Sequence, residues 1–388
     1  MLNPNLNVKV ITLLIAPIIF LNLVYNLDGN RSAWGADNII FLKFIGVILA
    51  SFALIFMLKK KKTFIVLLSY YLFSFMLIGA MYELIVNNQQ LEETYTSRAL
   101  CFIFLVLGCE IANKCYIQEE IWRINKGVLF VFSLLMLLGC IFFIFGLYPL
   151  GVNSNGAMLQ IYHTTIFLPA CFFIFFKTRF KALPYLAVAI GTSLIIFLTT
   201  KVTALIVSLL ILFFALATTF NFKKNTHEIR LLLYLTLIIM ASSLFFLIQN
   251  IVNDKVGIEG EAGIRITALK LLMDRFLESP IWGNFFTASP IIKFSNQFDA
   301  PSHLDYLDLL ANGGLIWFLP FLYLNFKAIK NSLKLLNHSA GANFLIFMYF
   351  CSSIVIFINP ALAVPRIAFF WLFPLGLLSA INYKRISK

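Results

Sequence analysis

The segment Gly263–Phe318 begins GIRITALKLLMDRFLESPIWGNF and ends PSHLDYLDLLANGGLIWF, and it is the one long polar stretch in a mostly apolar sequence. Of the 388 residues, 61% are hydrophobic and 12% are charged. Soluble proteins are nearer half apolar and a quarter charged. We therefore expect an integral membrane protein that keeps this segment outside the lipid.

Apolar runs of about 20 residues, the length that crosses a bilayer, recur along the chain. They predict an all-α, polytopic membrane protein with about twelve transmembrane helices. The whole chain, 1–388, is then a single membrane domain, and 253–313 is a periplasmic loop or cap that carries the candidate site. The predicted helices are 8–26, 38–58, 63–86, 98–112, 127–147, 158–176, 183–200, 202–220, 231–252, 314–326, 341–359 and 367–382.

The positions of the basic residues predict the orientation of the chain. The net charge is +13, but Lys and Arg lie in short clusters between apolar runs, which argues against nucleic-acid binding. Most clusters fall on one side, which the positive-inside rule makes cytoplasmic, together with both termini. None of the six cysteines lies in the polar segment or in a CxxC spacing, so we expect neither a disulfide framework nor a metal site.

Basic residues on the opposite, outer face need an explanation. For Arg31 and Arg98, tolerance during translocation is the simpler account. For Lys201 and Arg265 we favour a function. Lys201 lies in LTTKVTAL, where the chain turns between two apolar runs. It is either an interfacial anchor or, with the neighbouring threonine hydroxyls, part of an oxyanion pocket.

Arg265 lies near the start of a predicted helix over 264–278, which ends before Ser279-Pro280. At 100° per residue it lies opposite a polar stripe and within the apolar arc of the helix. An arginine on a buried face must meet an anion or a dipole. This is either a structural salt bridge or recognition of a phosphate by the planar guanidinium. The polar stripe is Lys270, Asp274 and Glu278; the apolar arc is Ala268, Leu269, Leu272 and Phe276.

His303 is the candidate general base of the outer cap. An imidazole titrates near neutrality and can accept a proton from a sugar hydroxyl. Asp305 and Asp308 follow it in HLDYLDLL. They could orient His303, bind sugar hydroxyls, or cap the helix that starts there. Because no metal cluster or phosphate loop is present in the sequence, a reaction without metal or cofactor, assisted by cations, is the expected chemistry.

These residues resemble the O-antigen polymerase and O-antigen ligase superfamily of multi-spanning membrane glycosyltransferases, which are GT-C-like. The family pattern has a basic residue at an outer turn, an arginine opening a periplasmic helix, a bend with proline and glycine, and a histidine before a glycine-rich helix start. Two departures are Lys201 in place of the more frequent arginine and Leu304 in place of an asparagine after the histidine. The matching parts are TTKVTAL, GIRITALKLL, ESPIWGN and SHLDYLDLLANGGLIWF, with a weaker match at Arg366 in VPRIAFF.

The resemblance implies a bacterial inner-membrane enzyme that acts on glycans carried by undecaprenyl pyrophosphate. Lys201 and Arg265, with Arg366 as a further candidate, would hold the pyrophosphate, and His303 would activate the acceptor hydroxyl. The form of SHLDYL favours a polymerase that joins repeat units in O-antigen biosynthesis. The implied partners are membrane lipids, a chain-length regulator and a flippase.

Two alternatives stay open. A ligase, which transfers finished polymer to lipid A-core, shares the same motifs. A flippase for lipid-linked oligosaccharides has a similar helix count, but it should show two related halves and charged residues inside its helices. Here the charge is concentrated in one outer segment.

Overall fold

The computed structural model describes residues 46–55, 62–88, 95–114, 261–287, 291–294, 298–301, 304–335, 345–346, 348–350, 352–353, 356, 362 and 365–381, and for 113–114, 261–266, 291–294, 298–301 and 365–367 it describes the backbone alone. These residues are largely helical. A short antiparallel hairpin is the exception within them to the predicted all-α class. In chain order the elements are α1 (Gly46–Ile55), α2 (Phe64–Val86), α3 (Thr96–Cys101), α4 (Ile103–Lys114), α5 (Glu261–Glu278), β1 (Ile291–Phe294), β2 (Phe298–Pro301), α6 (Asp305–Leu335) and α7 (Pro365–Ala380).

Two of the described helices, α2 and α6, are long and apolar enough to cross a membrane. With a rise of 1.5 Å per residue, α2 is about 35 Å long, against a hydrocarbon thickness of about 30 Å. Glu83 is its one charged residue, and its outward face exposes large apolar side chains such as Phe64 and Ile78. By length and composition, α2 and α6 are thus candidate membrane spans.

Side-chain contacts at one end of the bundle fix the relative directions of the helices. Lys62 Nζ, just before α2, lies 3.3 Å from Glu110 Oε1 near the end of α4. Asn331 Nδ2, near the end of α6, donates a hydrogen bond to the Leu378 carbonyl near the end of α7 at 2.7 Å. We call this the Lys62 end of the bundle.

The opposite end brings together the other termini of the same helices. Arg98 on α3 pairs with Asp305 at the start of α6. The Leu362 N–H, just before α7, donates to Asp305 Oδ2 at 2.8 Å. Thr96 Oγ1 lies 3.5 Å from the Ala80 carbonyl on the last part of α2. We call this the Arg98 end; α2 therefore runs antiparallel to α4, α6 and α7.

Helices α4 and α7 cross with their backbones in direct contact. A Cβ atom on Gly108 would meet the Phe373 carbonyl oxygen, and one on Gly376 would meet the Leu105 carbonyl oxygen. Small residues at a crossing let two backbones approach closely, which is typical of helix pairs in membranes. Any larger side chain at either glycine would separate these two helices.

Trp317 on α6 lies at the centre of the aromatic core. Its side chain is fully buried, and its ring centroid lies 5.4 Å from Phe102, 5.2 Å from Phe286 and 5.3 Å from Phe321. Its indole Nε1 donates to the Leu72 carbonyl of α2 at 3.0 Å. Because its indole N–H has a hydrogen-bond partner, this large side chain can be buried in the interior.

The predicted helix 98–112 is divided in the structure. Helix α3 ends at Cys101 and α4 begins at Ile103. The intervening Phe102 N–H bonds to the Ala99 carbonyl at 3.0 Å. This hydrogen bond spans three residues and tightens the turn. The hydropathy of the sequence does not predict this division of the helix.

The predicted helix 314–326 is much too short. Helix α6 runs from Asp305 to Leu335, with a break at Gly314, whose φ is 61° and ψ −177°. Because Asp305, Asp308 and Asn312 are polar, the sequence predicts a loop for this segment. They are nevertheless helical because partners within the protein satisfy their side chains.

The predicted loop 253–313 contains α5, the hairpin and the first turns of α6. Several other predicted features lie outside the described residues. The twelve-helix count and the positions of both termini fall on parts of the chain that are not described. So do six predicted helices: 8–26, 127–147, 158–176, 183–200, 202–220 and 231–252.

Candidate functional site

Helix α5 has the buried face that the sequence predicts. Ala268 and Leu272 are each 1% exposed, and Phe276 is half-buried. The backbone of Arg265 lies in the first turns of α5, and at 100° per residue its position falls on this same face. The predicted polar stripe, Lys270, Asp274 and Glu278, is exposed as expected.

One member of the predicted apolar arc is placed differently. Leu269 is 47% exposed, although the sequence predicts it to be buried with Ala268 and Leu272. The contact face of α5 is narrower than the apolar arc: Ala268 and Leu272 pack with Ala311 of α6, and Leu269 is not part of this cluster. The prediction for Leu269 was wrong.

The buried face of α5 packs on the start of α6. Ala268 and Leu272 form a cluster with Ala311, against which Leu304 and Leu307 also pack. Leu304 directly follows His303 in the sequence. The structure therefore brings the Arg265-bearing face of α5 and the residue after His303 into one small apolar cluster.

The bend after α5 docks into the break of α6 by main-chain hydrogen bonds. The Pro280 carbonyl accepts from the Leu315 N–H at 2.9 Å, and the Ile281 carbonyl accepts from Ile316 at 3.0 Å. In return, the Asn312 carbonyl accepts from the N–H of Asn284 at 3.0 Å. The break in α6 frees these main-chain groups, and the bend satisfies them.

Glycine is required on both sides of this docked bend. Gly283 and Gly314 both have a φ of 61°, a conformation that side chains disfavour. A Cβ atom on Gly314 would meet the Gly283 nitrogen and the Ile281 carbonyl oxygen. The motifs ESPIWGN and ANGGLIW thus pair with each other, and their glycines have a structural reason. Trp282, within the bend, is 52% exposed.

Two carboxylates of α6 bind a buried arginine at the Arg98 end. Arg98 Nη1 contacts Asp308 Oδ2 and lies 3.5 Å from Asp305 Oδ1. Arg98 is 2% exposed, Asp305 0% and Asp308 1%. Both aspartates lie in the first turn of α6, where the helix dipole also favours negative charge. A buried charge needs such partners to offset the loss of hydration.

A second layer of hydrogen bonds surrounds this ion pair. The Tyr95 hydroxyl donates to Asp308 Oδ1 at 2.7 Å. Asn312 Nδ2 donates to the Tyr95 oxygen at 2.8 Å and to Asp308 Oδ1 at 3.1 Å. Arg275 Nη1, from α5, donates to Asn312 Oδ1 at 3.2 Å. The network therefore connects α3, α5 and α6.

Tyr95 remains a neutral phenol in this network. Its burial, followed by the charge of Asp308, raises the pKa of Tyr95 well above its ordinary value. A neutral hydroxyl donates to one partner and accepts from another. Tyr95 can therefore hold Asp308 and Asn312 at the same time.

The predicted site residues are described to different extents. Lys201 and His303 lie outside the described residues. Arg265 and Arg366 are described by their backbone alone, in α5 and in the first turn of α7. Asp305 and Asp308 are buried and bonded to Arg98, and a role in orienting His303 or binding a sugar stays a prediction.

Arg98, Tyr95 and Asn312 were not among the predicted site residues. Arg98 was assigned to tolerance during translocation, whereas it is a buried partner of two aspartates. A signal was present in the sequence, since Arg98 and the Asp305/Asp308 pair have opposite charge and fall at the same predicted outer face. Within the described ranges, no group of three or more potential metal ligands lies together, and a metal-independent reaction stays a prediction.

A scan of the chain against protein-family models finds no match, and a search of curated proteins finds none either.

Proposed function

We propose that this protein is an O-antigen polymerase, a metal-independent membrane glycosyltransferase of the bacterial inner membrane. It joins oligosaccharide repeat units carried on undecaprenyl pyrophosphate at the periplasmic face. The Arg98 end of the bundle is then periplasmic and the Lys62 end cytoplasmic, with both termini in the cytoplasm. The proposal has two supports: the resemblance of four sequence motifs, and the way the described parts of those motifs meet.

The observation that carries the proposal is the cluster of Ala268, Leu272 and Leu304. It joins the face of α5 on which Arg265 lies to the residue that follows His303. Two motifs that are about 40 residues apart along the chain are thereby held at one end of the bundle. In the proposal, the arginine and the histidine of these two motifs act together on a reaction with an anionic leaving group.

In the proposed reaction, a hydroxyl at the non-reducing end of a newly flipped repeat unit attacks the anomeric carbon of the growing chain. The new glycosidic C–O bond forms as the bond from that carbon to the pyrophosphate breaks. Undecaprenyl pyrophosphate leaves with the bonding electron pair. His303 accepts the proton of the attacking hydroxyl.

Cationic side chains would stabilise the departing pyrophosphate. Arg265 and Lys201, with Arg366 as a third candidate, supply this charge. Fixed cations in a site that excludes most water stabilise developing negative charge more than water does. A guanidinium also binds two phosphate oxygens at once, which sets the orientation of the leaving group.

Deletion of the protein, followed by analysis of the lipopolysaccharide, tests the function itself. A polymerase predicts that a single repeat unit caps the lipid A-core and that the ladder of longer chains is lost. Polymer that accumulates on its lipid carrier would instead identify a ligase. Loss of all periplasmic repeat units, with accumulation on the cytoplasmic side, would identify a flippase.

Substitution at Arg265 tests the site. We expect Arg265→Ala to lower the rate of polymerisation by about 100-fold or more, because removing one preorganised group that stabilises transition-state charge has this effect. His303→Ala should be similarly impaired. Lys270→Ala is the matched control, since Lys270 is a cation of the same helix on its exposed face. A normal ladder with Arg265→Ala would contradict the assignment.

A further inference from the structure

We propose that Arg98 is a positioning residue for this reaction: through Asp305 and Asp308 it holds the start of α6, which directly follows His303 in the sequence, against the Arg265-bearing helix α5. The inference rests on the proposed function. Its basis is the buried network at the Arg98 end and the position of that network in the sequence.

The network holds the part of the chain that directly follows His303. Asp305, the first residue of α6, lies two positions after it. Its two oxygens have different partners: Oδ1 faces Arg98 at 3.5 Å, and Oδ2 accepts from the Leu362 N–H at 2.8 Å. The start of α6 is therefore joined both to α3 and to the segment that leads into α7, which carries Arg366.

Asp308 holds the same turn of α6 from the other side. It contacts Arg98 and accepts hydrogen bonds from Tyr95 and Asn312. Asn312 in turn accepts from Arg275 of α5. A chain of contacts therefore runs from Arg98 through Asp308 and Asn312 to Arg275 of α5.

A direct role for Arg98 in binding phosphate is the competing explanation. Its Nη2 atom is buried and has no hydrogen-bond partner within the described part of the chain. However, both aspartates already face the guanidinium, so its positive charge is opposed before any substrate arrives. Burial of the whole side chain also separates it from solvent. We therefore assign Arg98 to positioning.

A comparison of one single and one paired variant separates the two roles. Arg98→Met leaves the buried aspartates without their cation, and we expect kcat to fall by roughly 10–100-fold, the effect of misplacing a catalytic group. The KM for the lipid-linked repeat unit should change by less than about twofold, since uniform substrate binding is retained. Adding Asp308→Asn removes one negative charge while the amide oxygen still accepts from Tyr95.

In the paired variant Arg98→Met/Asp308→Asn, the logarithm of kcat should recover at least half of the decrease that Arg98→Met causes. Such coupling between contacting residues is what a double-mutant cycle measures. Recovery supports positioning. A paired variant as inactive as Arg98→Met, or a large rise in KM in both, would overturn the proposal and favour direct phosphate binding. Wild-type kcat with Arg98→Met alone would overturn it as well.

A third variant decides the matter if Arg98→Met does not reach the membrane. Asp308→Asn alone keeps the shape of the side chain and leaves Arg98 paired with Asp305. We expect it to lower kcat by about tenfold with KM unchanged, and unchanged kcat would overturn the proposal. The unaltered protein, measured in parallel, reports on the proposed function. Absence of polymerisation by the unaltered protein refutes the function, whereas polymerisation by it together with failed recovery in the paired variant refutes only the role of Arg98.

Discussion

Arg98 and Arg275 reach the same polar network from different helices but differ in burial. Arg98 is almost fully buried between two carboxylates, whereas Arg275 is half-buried and donates to the amide of Asn312. Removing one partner of a buried pair costs about 3–5 kcal/mol, because the other charge is left unpaired. At the residue scale, the charge pairing at Arg98 is therefore the most sensitive feature of this end of the molecule.

Tyr95→Phe tests the hydrogen bonds of this network without changing its charge. The variant removes the donor to Asp308 and the acceptor for Asn312. We expect the free energy of unfolding to fall by about 1–3 kcal/mol, which thermal melting of the purified protein in detergent would measure. Tyr82→Phe is the matched control, because Tyr82 is 51% exposed on α2. Equal melting midpoints for both variants would contradict the role given to Tyr95.

At the scale of elements, main-chain contacts as well as side-chain contacts join the cap to the bundle. The bend after α5 bonds to α6 on both sides of the break at Gly314. Gly79 of α2 is in contact with the Phe285 carbonyl of the same bend. Three elements therefore meet with main-chain atoms in contact, which leaves no room for a side chain at these glycines.

Gly314→Ala should destabilise the protein and lower its activity. The new methyl group would meet Gly283 and Ile281, and the residue would hold a positive φ. We expect a cost of at least about 1–3 kcal/mol, measured as a lower melting midpoint. Leu319→Ala, at a 56% exposed position of the same helix, should stay within about 0.5 kcal/mol of the unchanged protein. A Gly314→Ala protein that melts like the Leu319→Ala protein would argue against a tight backbone contact.

Several features that depend on neighbouring residues were predicted correctly from the sequence. The apolar run at 63–86 matches α2, Phe64–Val86, to within one residue at its start. The end of α5 before Ser279-Pro280 and the burial of Ala268 and Leu272 were also predicted correctly. Each depends on residues within a few positions of one another.

Features that depend on distant partners were missed. Arg98 and Asp308 are 210 residues apart in sequence, and no periodicity within a helix connects them. For the same reason the first turns of α6 were placed in a loop, since their polar side chains are satisfied by α3 and by the segment before α7. Their opposite charges at one predicted face were a signal, but only the assembled bundle shows that Arg98 pairs with these two aspartates.

At the scale of the whole molecule, α2 runs antiparallel to α4, α6 and α7. The Lys62 end gathers Lys62 and the last turns of α4, α6 and α7, whereas the Arg98 end gathers the start of α6 and the docked bend. Assigning these ends to cytoplasm and periplasm stays a prediction.

Thiol labelling of intact cells tests that assignment. Lys270 of α5 and Lys330 of α6 are both exposed and lie towards opposite ends. We expect Lys270→Cys to react with a membrane-impermeant maleimide from the periplasm, and Lys330→Cys to react only after permeabilisation. The unaltered protein supplies the background from its native cysteines. Labelling of both positions from the same side would contradict the orientation.

The exposed ring of Trp282 gives the protein an optical reporter. Trp317 and Trp371 are fully buried, while Trp282 is 52% exposed in the bend that joins α5 to α6. An indole in water emits at longer wavelength than one in an apolar interior. Lipid or glycan arriving over the bend should therefore shift the emission of Trp282 to the blue and leave that of the two interior rings unchanged. Fluorescence of a Trp282→Phe protein, subtracted from that of the parent, would isolate this signal and allow substrate binding to be followed without a label.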